Sequence, residues 1–164
     1  MSSIRKLGFE VIAICCYLTS LSPLSASEDT EAPIHIRGDD LRGNMTTRTV
    51  VSGSVTLDQG SIHVEADSMT IDWSAGEVQR ITATGDQAHF TRTISQDQHA
   101  IDARARTIIY DRKLNQIELQ GEARLRQQEN LFRGDKILYD ISAGLVKADS
   151  GKSGRVELIW RPRE

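Results

Sequence analysis

The sequence predicts an all-β protein, and three observations predict it. Apolar and polar residues alternate with a period of two along much of the chain. A turn pattern recurs between the alternating runs, and no proline occurs from Ile34 to Arg161. Alternation places one face of each strand in water and the other in a core. A proline-free stretch keeps every backbone N–H available to a hydrogen-bonded ladder. No window of helical length holds the i, i+3, i+4, i+7 spacing as well, so no substantial helix is expected. Successive hairpins with one apolar face must close into two facing sheets or a barrel.

Taken in order, the chain opens with Arg5 and Lys6, then a short apolar run from Val11 to Leu18, then Leu24-Ser25-Ala26. This reads as a secretory signal peptide over residues 1–26, followed by a single domain over 27–164. The run is well short of the roughly 20 residues of a spanning helix, although an uncleaved anchor stays open as the alternative. Cys15 and Cys16, the two cysteines of the chain, both lie in this run. The mature chain is therefore expected to lack thiol chemistry.

The alternating runs are Ile34-His35-Ile36, Val55-Thr56-Leu57, Ile62-His63-Val64, Met69-Thr70-Ile71, Ile117-Glu118-Leu119, Ile137-Leu138-Tyr139 and Val156-Glu157-Leu158. Between them, Asp72 to Val78, Asp111 to Ile117 and Asp140 to Val146 share one order: Asp, three residues, Gly or Asn, one residue, a β-branched residue. The Asp suits an Asx-type turn start, and Gly or Asn accepts the positive φ that closes a bulged hairpin. An offset of 68 residues superimposes the first and third copies, and also Gly53 on Gly121, Leu57 on Leu125, Gln59 on Gln127 and Asp67 on Asp135. The unit is thus a repeated strand pair that must stack on its neighbours.

Composition narrows the function. The chain has 164 residues and a formal net charge of -3, without a long basic run, which argues against nucleic acid as a partner. Aromatics make up only 5%, so the interior is lined by slim aliphatics that leave room for an alkyl ligand. Parity assigns to the inward face Ile34, Ile36, Val55, Leu57, Ile62, Val64, Met69, Ile71, Phe90, Ile108, Tyr110, Leu119, Leu125, Phe132, Ile137 and Tyr139. These residues either line a ligand groove or form a closed core.

The segment Gly53-Ser-Val-Thr-Leu-Asp-Gln-Gly-Ser-Ile-His-Val-Glu-Ala-Asp67, with Pro33-Ile34-His35-Ile36 before it and Gly121 to Asp135 after it, resembles the OstA-like family of lipopolysaccharide transport. This family comprises LptA, LptC and the N-terminal domain of LptD, and the resemblance runs from about Pro33 to Trp160. It implies an open, twisted antiparallel β-jellyroll with two facing sheets forming an apolar groove, built from many short strands. It implies a periplasmic carrier of lipopolysaccharide, with the lipid A acyl chains in the groove. Ile34 and Ile36 then correspond to the groove-lining N-terminal strand. It also implies a head-to-tail homo-oligomer, bridged by edge-strand pairing to LptC at one end and LptD at the other. The strands from Ile34 to Arg37 and from Arg155 to Trp160 are the edge candidates, with Trp160 alternatively a plug of the core. An LptC-like anchored partner and a secreted carbohydrate-binding jellyroll are the alternative readings. Basic residues between Arg104 and Lys136 form either a solvated face or rim contacts to lipid phosphates.

No catalytic, cofactor or metal site is expected. His35, His63, His89 and His99 lack metal-site spacing, and Asp39-Asp40 reads as a turn start. Trp73 and Trp160 are too far apart in sequence to suggest a sugar-stacking platform, and Ser95 to His99 reads as a polar loop.

Overall fold

A computed structural model describes residues 32–94, 99–151 and 154–161. The expected signal peptide with both cysteines, most of the Ser95–His99 loop, and Pro162 lie outside the described residues. Ten strands occur: β1 (His35–Arg37), β2 (Asp40–Gly43), β3 (Arg48–Gln59), β4 (Ile62–Ser74), β5 (Glu77–Ile94), β6 (His99–Asp111), β7 (Gln116–Gln127), β8 (Asn130–Asp140), β9 (Leu145–Asp149) and β10 (Glu157–Ile159). There is no helix among the described residues. All strands join one antiparallel sheet in the order β1-β3-β4-β5-β6-β7-β8-β10, with β2 also on β3 and β9 also on β8. The two facing sheets are therefore two halves of one sheet.

Central strands are longer than the many short ones expected: β5 alone has 18 residues. A line of register shifts crosses them at one level, after Ser52 in β3, Glu65 in β4, Thr84 in β5, Arg104 in β6 and Gln120 in β7. Each bulge bends its strand and increases local twist, so a row of bulges folds the sheet along a corner. On one side, half A contains β1, β10 and the β3–β8 segments that pair with them. On the other, half B contains β2, β9 and the remaining segments.

At the corner the sequence repeat becomes physical. Gly53 and Gly121 have φ of 84° and 76°, and each precedes a residue also in the left-handed region, Ser54 and Glu122. A Cβ on Gly53 would lie 2.2 Å from Asp39 Oδ2, and one on Gly121 3.2 Å from the Arg106 Cβ. The same arrangement sets Asp67 against Gly85 and Asp135 against Gly151. Asp67 and Asp135, superimposed by the 68-residue offset, thus have one job. Asp39 is a corner contact as well, while Asp40 opens β2 and pairs with Arg42 at 2.7 Å. The inward residues flanking the corner are small, with Ala88 opposite Ala105 and Ala123 opposite Gly134, which lets the halves converge.

The turn pattern holds in two of its three copies. Asp111 Oδ1 accepts the Leu114 N–H at 3.1 Å and Asp140 Oδ1 accepts the Ala143 N–H at 2.9 Å. Asp72 does not start its turn: its carboxylate takes Arg48 Nε at 2.6 Å across the ladder. That hairpin turns on Ala75-Gly76 instead, both at positive φ, the requirement of a two-residue primed turn. Gly76, Asn115 and Gly144 all adopt the positive φ expected of them. Val78 and Ile117, which restart the inward face, are buried.

Candidate functional site

Register partners share a face, so the ladder defines what each row of the interior presents. In half A one row reads Ile36, Leu57, Val64, Phe90, Ala103, Leu125, Phe132, Leu158. In half B the matching row is Leu41, Val51, Met69, Ala83, Ile108, Leu119, Ile137, Ala148. Nearer the open side of half B run Thr49, Ile71, Ile81, Tyr110, Ile117, Tyr139 and Val146. Both of the first two rows are apolar from edge to edge. Each row has one exposed end, Leu41 (62% accessible) in half B and Leu158 (56%) in half A, while Ala148 and Ile36 at the other ends are half-buried.

The parity assignment therefore gathers its residues on one interior. Val55, Met69, Leu119, Leu125, Ile137 and Tyr139 are buried in the core. Leu57, Ile62, Val64, Phe90, Ile108 and Tyr110 face a cleft between the halves. Ile34, Ile36 and Ile71 line a pocket of about 220 Å³ that opens at the β1–β2 edge beside Leu41, Met45 and Trp73. Phe132 is half-buried toward the opposite edge. The cleft itself retains only about 30 Å³, roughly one water's share of liquid volume. The interior is thus nearly closed along its length and open at the N-terminal edge.

The long open side, opposite the corner, is the mouth. Its hairpin backbone bonds run between neighbouring strands of the same half, as in Thr93 N–H to Ser61 O and Ile141 N–H to Asn115 O. Side chains close it. Trp73 is half-buried there, its indole Nε1 donating to Thr49 Oγ1 at 3.1 Å, so it is not a free stacking platform. Burial pushes the Tyr139 hydroxyl pKa up, and the Arg92 charge draws it partly back.

Sequence reasoning missed Arg92. It looked for basic residues between Arg104 and Lys136, yet Arg104, Arg106, Arg124, Arg126, Arg133 and Lys136 are all exposed, and Arg112 and Lys113 lie in an exposed turn. Arg92 lies on the inward row with Gln59, Ile62, Ile101, Gln127 and Asn130, and is 8% exposed. Strict parity from Phe90 was the signal that would have found it.

The outer face of half A carries a charged ladder. Arg37 pairs with Asp58 at 3.1 Å, Asp58 with His63 at 2.7 Å, Glu65 reaches His63 at 3.3 Å and His89 at 3.6 Å, and His89 meets Asp102 at 3.2 Å. Hydrogen bonding to Asp58 raises the His63 pKa, and His63 lowers those of Asp58 and Glu65. The ladder stitches edge strand β1 to the sheet. Trp160, at 66% exposure, does not plug the core.

The family described as LptA/(LptD N-terminal domain) LPS transport protein matches residues 35–145. The chain belongs to this LptA/LptD N-terminal family. Its members include the lipopolysaccharide export system protein LptA of Escherichia coli K12, 29% identical over 160 residues that span 94% of this chain and 84% of that one. The lipopolysaccharide export system protein LptH of Pseudomonas aeruginosa is 26% identical over 163 residues, 94% and 93% of the two chains. The crystal structure of LptH, the LptA homologous periplasmic component of the conserved lipopolysaccharide transport device from that organism, superposes with a TM-score of 0.76. It is 24% identical and covers 82% of this chain and 99% of its own, which establishes the shared jellyroll fold.

Proposed function

We propose that the protein is a periplasmic carrier of lipopolysaccharide that holds the lipid A acyl chains between its two half-sheets and forms one link of a head-to-tail bridge. LptC binds at one end of the bridge and LptD at the other. The observation that carries this reading is the pair of apolar rows that run unbroken from edge to edge, one exposed at the β2 edge and the other at the β10 edge. At the β2 edge Leu41 and Met45, and at the β10 edge Val156, Leu158 and Trp160, group exposed apolar side chains at the two ends of the molecule rather than scattering them singly. A carrier needs exposed ends, so that its groove continues into the next copy.

Apolar contact suffices for such a function, at about 0.8 kcal/mol per buried methylene. Acyl chains enter by parting the halves at the mouth, where side chains alone hold them. Packing of lipid against each half then replaces packing of one half against the other, so net affinity stays moderate and the lipid can be passed on. Transport direction comes from an energy source elsewhere.

Strand direction supports the bridge. β1 and β10 lie at opposite ends of half A and run in opposite senses, as do β2 and β9 in half B. Two copies stacked in the same orientation therefore meet as antiparallel pairs in both halves. The corner repeat also continues: after Asp135 over Gly151 comes the next copy's Asp39 over Gly53. Such a heterologous contact does not close and yields filaments.

A photo-crosslinker at Ile36 is expected to capture lipopolysaccharide, while one at outward Glu118, paired with Lys136 at 2.6 Å, is not. Equal labelling at both positions refutes the groove. Light scattering is expected to show mass rising with concentration, and a fixed monomer refutes self-assembly.

A further inference from the structure

Three polar or charged residues are buried among those described: Thr49, Gln59 and Arg92. The Thr49 hydroxyl donates to the Asn44 carbonyl at 3.0 Å and accepts from Trp73, and Gln59 Nε2 donates to the Ala32 carbonyl at 3.2 Å. Arg92 differs from both in kind, because it is a permanent charge, and its ladder partners on the inward row are Ile62 and Ile101. Keeping a guanidinium out of water carries a desolvation penalty, even where it has bonding partners.

Farther along the same row Asn130 Oδ1 is buried with no hydrogen-bond partner, and Gln127 stands opposite it. Four of the six positions on half A's lip, Gln59, Arg92, Gln127 and Asn130, are thus polar, with Ile62 and Ile101 flanking Arg92. The facing lip in half B is mostly apolar, with Val78, Ile81 and Ile117 buried along it, and its polar atoms are the hydroxyls of Thr49, Tyr110 and Tyr139. The five spacings of about 4.8 Å between six strands give half A's lip a length of roughly 24 Å, enough to run alongside a sugar-phosphate headgroup.

We propose that half A's lip is a headgroup site, in which Arg92 binds a phosphate of the amphiphile and Gln59, Gln127 and Asn130 meet its sugar hydroxyls. The proposal rests on the lipid-carrier reading and deepens it. A guanidinium can hold a phosphate through two parallel charge-assisted hydrogen bonds, and the shielded lip strengthens them relative to open water. Placing the recognition on one lip fixes the lipid's orientation, with acyl chains inward and headgroup along half A. Exposed basic residues on the outer face cannot do this, because they point away from the cleft.

The test compares binding of bisphosphorylated lipid A and of the same lipid after enzymatic dephosphorylation. The unaltered chain is expected to prefer the phosphorylated lipid by about tenfold to hundredfold, the equivalent of one hydrogen bond to a charged group. Arg92→Met should abolish that preference, so that the two lipids bind equally. Arg92→Lys keeps the charge without the fork, should fold even if Arg92→Met does not, and is expected to lose part of the preference. Asn130→Ala should weaken both lipids alike. Inorganic phosphate alone is expected to compete poorly, since it lacks the acyl anchor; full competition would assign the site to free phosphate and overturn the proposal. Equal binding of the two lipids by the unaltered chain, or a preference untouched in both Arg92 variants, overturns the headgroup site but not the carrier. Failure of the unaltered chain to bind either lipid overturns the carrier reading and the headgroup site with it.

Discussion

The corner and the mouth of the jellyroll are built from the same strands and are opposites in construction. At the corner the backbone itself makes the bend: bulges align across five strands, small residues face inward, and side chains such as Asp39 and Asp67 lie against glycines. At the mouth the described hairpin backbone bonds run only between neighbouring strands, and larger side chains meet across the gap. Covalent continuity and ladder bonds hold one side, dispersion and hydrophobic contact the other. The difference teaches that opening is directional, with the corner as hinge and the mouth as the side that parts.

Four predictions break or sharpen that contrast. The largest effect is expected at the hinge, where Gly53→Val forces a β-branched residue to a φ of 84° and into Asp39. A loss of about 3 kcal/mol or more in denaturant unfolding is expected. Ile62→Ala, at the half-buried mouth, should cost clearly less, because the site can collapse, and equal losses would erase the distinction between the two sides.

Next in size is the effect of locking the mouth. Ile62 and Ile141 line the same cleft from opposite halves. Joining Ile62→Cys and Ile141→Cys with a short bismaleimide should reduce lipid capture about tenfold or more, equivalent to about 1.4 kcal/mol, without changing the circular dichroism spectrum. Undiminished capture by the bridged protein would mean that lipid enters another way.

A smaller change is expected at the C-terminal edge. Leu158→Asp places a charge at the end of the apolar row and should weaken self-association in sedimentation velocity, with unfolding shifted by less than about 0.5 kcal/mol because the residue is already 56% exposed. Unaltered association would remove β10 from the junction.

The smallest effect is electrostatic. Because the folded-state pKa of His63 is raised by Asp58, its contribution is full below the unfolded value and is lost as pH rises through the folded one. Stability should therefore fall slightly from pH 6 to pH 8, and His63→Gln should flatten that dependence. A proton NMR titration placing His63 at or below the ordinary histidine value would refute the ladder's role.

Much of this architecture was legible in the residues. Alternation marked β1, β3, β4, β7, β8 and β10, and its first and last runs start one residue before β1 and β10. No such run marked β2, β5, β6 or β9, and three-residue runs did not reveal the strands' full lengths. The 68-residue offset also found real structure, since Leu57 and Leu125 share one inward row and Gln59 and Gln127 share the lip. What it did not reveal is that Gly53 and Gly121 mark a bend rather than a strand end, because a bulge shows itself only against its partner strand. Asp72 looked like Asp111 and Asp140, yet Arg48, 24 residues away, takes its carboxylate.

The sequence by itself determined the all-β class, the inward parity of its apolar residues and the absence of proline from the ladder, because these follow from local periodicity and backbone donors. Tertiary structure alone decided that the strands bend together, that the cleft is nearly closed while its ends stay apolar and exposed, and that Arg92 sits inside. Each of these depends on residues far apart in the chain meeting across a register, and a pattern read along one strand does not contain its partner.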